Sequence, residues 1–299
     1  MKNFKNYLVL ISASVIFAGI YLLNHKSTLR PAQDERAYPV QEITSFTQAE
    51  NVLKLASSNT LILFDVDDVL ITSPDYFARG HLPWWIGIRL LFAFPEFLKE
   101  EVTERLHGLM FQKAPRVLIE LQVVDIINNL KNQGALVIGL TSMESGGYGV
   151  VTSMPLWRAD MLKGLGIVFS QKYPNQVYTE LPAHRNNYPV LFEGILCTNQ
   201  QPKGAVLAAF LDTNNLDPAN IIFFDDSMSN LQSVGKTCAE HNIPCTLFQY
   251  RGAERFSNTL DMASVIKQIG ILLHEQRWVS DSEIDRYKLD KNIGDYYKV

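Results

Sequence analysis

LILFDVDDVL (61–70) decides the reading of this chain. Four large apolar residues stand in a row, with no polar member to face solvent. A strand with that pattern is buried on both faces, as in a parallel sheet covered by helices on either side. Three acids then follow within four positions, so the strand ends abruptly at Asp65. Working outward, the pattern recurs in ALVIGLTS (135–142), which ends in Thr141 and Ser142, and in IIFFDDSMSN (221–230), which ends in Asp225 and Asp226. These three runs are expected to be the central strands of one sheet.

Further strand-like runs are GIVFS (166–170), VLFEGILCT (190–198) and CTLFQY (245–250). Helical periodicity falls at 48–57, 117–132, 156–165, 204–212, 229–241 and 260–273. Apolar strands alternating with amphipathic helices predict an α/β fold, a Rossmann-like parallel sheet with helices on both faces. The expected organisation is a membrane-directed segment at 1–25, a polar linker at 26–47 with Pro31 and Pro39, a core at 48–273 and a polar tail at 274–299. Within that tail, Ser280 and Glu283 have capping-box spacing, which predicts a short helix.

Composition narrows the function. Apolar residues make up 47% of the 299 and charged residues 19%, an ordinary globular balance. Lys and Arg number 27 against 31 Asp and Glu, a net charge of −4. No nucleic-acid partner is expected, because bulk-charge binding needs a basic excess. Three cysteines exclude a disulfide scaffold and a four-cysteine zinc site. They read as buried free thiols, with a Cys238–Cys245 pairing as the alternative. Residues 7–23 carry no charge and follow Lys2 and Lys5. This reads as a short membrane anchor or a long signal-peptide core. The absence of paired small residues after Leu23 favours the anchor, so the membrane is an expected partner and the globular part is expected to be exported.

In a parallel sheet, ligands bind beyond the C-terminal strand ends. Two strands ending in paired carboxylates concentrate negative charge there, and a divalent cation with hard oxygen ligands relieves it. Taken singly, each feature has a plainer reading. The DxD can be a turn, Thr141 and the Asp225–Asp226 pair can be helix caps, and Lys203 can be a solvated lysine opening a helix. Their order along the chain, each at a strand end or helix start, favours a site.

The four motifs Asp65-Val66-Asp67-Asp68-Val69-Leu70, Thr141-Ser142, Lys203-Gly204 and Asp225-Asp226-Ser227-Met228-Ser229-Asn230 resemble, as a set, those of the haloacid-dehalogenase-like superfamily over about residues 58–252. The stretch from Tyr188 to Leu211 resembles an uncharacterised bacterial branch of it. The resemblance implies a phosphomonoester hydrolase. Asp65 would be the nucleophile and Asp67 the general acid and base. Thr141 and Ser142 would hold phosphoryl oxygens, and Lys203 would neutralise charge. Mg²⁺ would sit on the Asp65 side chain, the Asp67 carbonyl and Asp226, with Asp225 in support. Asn230, an amide where the superfamily often has a carboxylate, would orient a ligand or water. An acid at position 67 separates the chain from the superfamily's dehalogenases.

The resemblance also implies a cap inserted at about 73–116, expected to be mostly helical. It contains Trp84, Trp85, Phe92, Phe94 and Phe97, which read as its own core or as an apolar pocket or membrane-lying face. His81 and His107 read as structural, and Arg185 as a surface loop residue. The substrate is a phosphorylated molecule of open class. A phosphotransferase, or an exported interaction protein using the fold for binding, are the competing functions.

Overall fold

The computed structural model describes residues 39–79, 99–256 and 259–287. The expected anchor at 1–25, most of the linker, His81 and the aromatic run at 84–97 lie outside the described residues. Among the described residues, no helix is long and apolar enough to cross a membrane.

In chain order the strands are β1 (Val40–Ile43), β2 (Thr60–Phe64), β3 (Ile71–Thr72), β4 (Val117–Leu118), β5 (Leu136–Thr141), β6 (Gln176–Val177), β7 (Val190–Phe192), β8 (Ile195–Cys197), β9 (Asn220–Asp225) and β10 (Cys245–Tyr250). The helices are α1 (Glu50–Leu53), α2 (Glu100–Lys113), α3 (Val123–Asn132), α4 (Met154–Gly164), α5 (Lys203–Thr213), α6 (Met228–Glu240) and α7 (Met262–Glu275). Eight strands form one sheet in the order β1-β10-β9-β2-β5-β8-β7-β6. From β1 to β8 the pairings are parallel, and β8-β7-β6 close the edge antiparallel. As expected, β9, β2 and β5 are adjacent at the centre.

Side chains alternate faces along a strand, and the core divides accordingly. Ile62, Phe64, Ile222 and Phe224 pack with Val123, Ile127 and Leu130 of α3 and with Met154, Ala159 and Leu162 of α4. Leu61, Leu63, Ile221 and Phe223 pack on the other face with Val206, Leu207 and Phe210 of α5 and with Leu231, Val234 and Cys238 of α6. Both faces are therefore covered by helices, which is why these strands carry no polar alternation.

Five segments differ from the sequence expectation. VLFEGILCT (190–198), read as one strand-like run, turns at Glu193 and Gly194 into β7 and β8, paired antiparallel. Residues 40–43, read as linker, form the edge strand β1 on β10. Its polar Gln41 and Glu42 are exposed, so no apolar run announces it. GIVFS at 166–170 is not a strand. Ile167 and Phe169 are buried, but the segment joins the sheet only through Ser170, whose N–H donates to the Val137 carbonyl at 2.9 Å. The helix expected at 117–132 starts at Val123, because Val117 and Leu118 pair with Thr72 and Ile71 instead. Residues 276–287 fold back onto the molecule with Val279 and Ile284 buried. Ser280–Glu283 there makes a turn rather than a helix, with the Ser280 hydroxyl bonded to the Glu283 carboxylate at 3.0 Å. The three cysteines are free thiols.

Of the cap expected at about 73–116, the described part includes α2. Its Leu106, Leu109 and Met110 pack on Val265, Ile269 and Leu272 of α7. Its other side meets the loop after β5 so closely that a Cβ on Gly149 would stand 2.1 Å from the Glu104 carbonyl oxygen. Arg185 also ties α2 down, pairing with Glu100 at 2.6 Å and with Glu104, while lying over the Tyr148 ring.

Candidate active site

Sheet register builds the site. Phe64 pairs with Phe224 on one side and with Gly139 on the other. Asp65 is thus brought level with Asp225, and Thr141 ends the neighbouring strand β5. The turn after β2 is tight. Asp68 takes a left-handed conformation (φ 59°), its N–H donates to the Ile71 carbonyl at 2.7 Å, and the Thr72 hydroxyl donates to its carboxylate at 2.8 Å. Aspartate tolerates that conformation better than most residues.

Lys203, the first residue of α5, is 1% exposed and lies between two carboxylates. Its Nζ is 2.7 Å from Asp65 Oδ1 and 2.6 Å from Asp225 Oδ2. Burial alone pushes the lysine pKa down, but Asp65 and Asp225 outweigh it and hold the ammonium above its ordinary value. Asp65 moves well above the usual carboxylate range. Burial is the main cause, opposed by Lys203 and reinforced by Asp225 and Asp226. Asp225 is fully buried, and its oxygens also accept from the Ser227 N–H at 2.8 Å and the Asn230 amide at 3.0 and 3.3 Å. Asn230 therefore orients a protein carboxylate, where a ligand or water was expected.

Ligand oxygens of Asp65, Asp225 and Asp226 lie within 4.8 Å of one another. Three hard anionic donors at that spacing fit a divalent cation such as Mg²⁺. Above them opens a cavity of about 470 Å³. Asp65, Asp67, Thr141, Ser142 and Asp226 line it, together with His107 and Met110 of α2. His107, read as structural, is thus on the cavity wall, where its Nδ1 is 3.2 Å from the Tyr148 hydroxyl.

Asp67 stands apart from the Asp65–Lys203–Asp225 cluster. Arg158 of α4 grips it in a two-armed fork, Nη1 to Oδ1 at 2.9 Å and Nη2 to Oδ2 at 2.7 Å. Arg158 is 3% exposed, with its guanidinium 5.0 Å over the Trp157 ring. The sequence reading missed this residue. Its one local signal is a charged side chain inside an otherwise apolar helix face, MPLWRADML, where a buried arginine needs a partner.

Fold and site together define an α/β protein with a carboxylate–lysine centre at the C-terminal edge of a mainly parallel sheet. Comparison with known proteins places it more narrowly. The profile of the family described as "Protein of unknown function (DUF2608)" matches residues 42–285, and the chain belongs to that family. An uncharacterised protein of Rickettsia prowazekii is 24% identical over 243 residues, covering 81% of this chain and 88% of the relative. A second protein of that organism is 30% identical over 122 residues, 38% of this chain and 41% of the relative. A Chlamydia trachomatis protein named "Putative outer membrane protein" is 22% identical over 274 residues, 88% of this chain and 96% of the relative. No solved structure matches the chain.

Proposed function

We propose that the protein is a Mg²⁺-dependent phosphomonoesterase that works through a phosphorylated Asp65, exported and held at a membrane by its N-terminal segment. The observation that carries this reading is the bonding of Asp65. Lys203 Nζ and the Val66 N–H, at 2.8 Å, both bond Oδ1, which leaves Oδ2 for attack in the cavity. The motifs' resemblance to the haloacid-dehalogenase-like superfamily supports the same chemistry. The chlamydial relative's name gives slight support to the location.

In this mechanism Asp65 Oδ2 attacks phosphorus and the ester oxygen leaves. Lys203 holds Asp65 in place and offsets charge as the covalent intermediate forms. Thr141 and Ser142 offer hydroxyl donors from the cavity wall to the phosphoryl oxygens. Asp67 gives a proton to the leaving oxygen and later takes one from water. While Asp67 carries the proton, that oxygen accepts only weakly from its Arg158 arm, and the full two-armed fork returns when the proton leaves. Asp65, Asp225 and Asp226 would hold Mg²⁺, which when bound neutralises phosphoryl charge.

The test is phosphate release from p-nitrophenyl phosphate and a panel of phosphomonoesters by the full-length chain in detergent. Release with Mg²⁺, its loss on chelation and its return on adding the metal back are expected. Full activity in protein shown to be metal-free by elemental analysis would remove the metal from the proposal. No release from any ester would remove the activity.

A further inference from the structure

The cavity above Asp65 has a cationic side chain that the reaction does not use. Lys203 is committed to Asp65 and Asp225, and Arg158 to both oxygens of Asp67, while Arg79, which also lines the cavity, lies over the Tyr76 ring. Burial pushes the His107 pKa down, against the pull of Glu144 and Glu104, which disfavours its charged form. Arg116 differs from these. It is delivered to the cavity by the residues just before β4, where Val117 pairs with Thr72. Among the described residues, its guanidinium makes one hydrogen bond, a long 3.3 Å contact from Nη1 to the carbonyl of its neighbour Pro115.

The nearby carboxylates hold their bonds elsewhere. Asp67 accepts the Arg158 fork, and Asp68 accepts from the Thr72 hydroxyl at 2.8 Å. Asp75 accepts from Trp278 Nε1 at 2.6 Å and the Asp281 N–H at 3.0 Å. These acids keep the local field favourable to Arg116 but do not engage it. Burial pulls its pKa down, yet an arginine stays charged. A half-buried guanidinium whose remaining donors face a cavity is placed to bind an oxyanion there. Arg116 and Phe111 also line a second cavity of about 370 Å³, with Trp157, Met161 and Leu165. The two cavities thus meet at Arg116.

We infer that the substrate is a phosphomonoester carrying a second oxyanion, and that Arg116 grips that group while Asp65 attacks the phosphate. The inference rests on the hydrolase reading above. It narrows the open substrate class to acids and bisphosphates, and it gives Arg116 the role of a specificity residue.

The experiment compares phenyl phosphate with 4-carboxyphenyl phosphate and 1,4-phenylene bisphosphate, and glycerol 3-phosphate with 3-phosphoglycerate, on the full-length chain with Mg²⁺. The two families present the second anion at different spacings, and the two aryl arms separate carboxylate from phosphate. A charge-assisted grip predicts a preference in kcat/KM of about 10–100-fold for an acid-bearing ester over its parent. In R116Q that preference should collapse, chiefly through KM of the acid-bearing ester. R116K keeps a point charge without the fork, so it should keep part of the preference and guard against a folding defect in R116Q. Equal turnover of acid-bearing and plain esters in both families overturns the inference and leaves the hydrolase standing. So does an undiminished preference in R116Q. Turnover of none of the esters overturns the hydrolase reading and this inference with it.

Discussion

At the scale of single residues, the two aspartates of the first motif have opposite surroundings, so they should fail in different ways. Asp65 is buried against Lys203, whereas Asp67 is half-exposed and held by Arg158. Asp65→Asn removes the attacking carboxylate, and no phosphoenzyme can form. Asp67→Asn keeps the nucleophile. With p-nitrophenyl phosphate the leaving group needs little protonation, so Asp65 should still be phosphorylated. Release of that phosphate needs a base for water, worth about 10²–10⁴-fold. The Asp67→Asn protein should give a burst of p-nitrophenol and then stall with a hydroxylamine-sensitive phosphate on the protein. The Asp65→Asn protein should give neither burst nor label. Equal labelling of both, or full turnover by Asp67→Asn, would refute the role assignment. Asp67→Asn also leaves one Arg158 arm facing an amide donor, so an unfolding midpoint should be measured alongside.

At the scale of elements, the position of Lys203 depends on how α5 meets α6. Pro202 (φ −55°) precedes the helix and fixes its entry. Gly204, the next residue after Lys203, approaches α6 so closely that a Cβ would stand 2.2 Å from the Ser233 carbonyl oxygen. That contact is to backbone, which cannot swing away. Gly204→Ala gains at most about 1 kcal/mol of helix propensity. The overpacking it causes costs about 1–3 kcal/mol or more. The expected outcome is a net loss of stability together with reduced turnover, because the shift carries Lys203 off Asp65 and Asp225. A lowered denaturant midpoint with unchanged kcat would show that the lysine tolerates the movement. A midpoint equal to the wild type would contradict the packing argument.

At the scale of the whole molecule, every group of the candidate site lies between residues 65 and 230, far from the charge-free run at 7–23. Anchoring and chemistry should therefore separate. Full-length protein is expected in the membrane fraction, and a chain lacking residues 1–25 in the soluble one. Recovery of a soluble mature chain beginning near residue 26 would show that the segment is a cleaved signal instead. Residues 276–287 belong with the body of the protein in this respect. Trp278 and Asp281 both bond Asp75, a residue of the insertion beside the site, so the C-terminal stretch helps to hold the cavity wall.

The sequence by itself determined the alternation of elements, the three central strands and the strand-end acids. Each of those rests on a local rule: strands buried on both faces must be continuously apolar, and a buried run must stop where charge begins. Only the tertiary structure decided the edge strand β1, whose exposed Gln41 and Glu42 look like linker until β10 supplies their backbone partners. It also decided that 166–170 packs apolar side chains without joining the sheet. The partnerships of charge belong there too. The Arg158–Asp67 fork spans 91 positions and the Lys203–Asp225 bond 22. A side chain's partner is chosen by where the fold brings it, and no periodicity along the chain encodes that choice. The same holds for Arg116, which the β3–β4 pairing sets in the cavity wall.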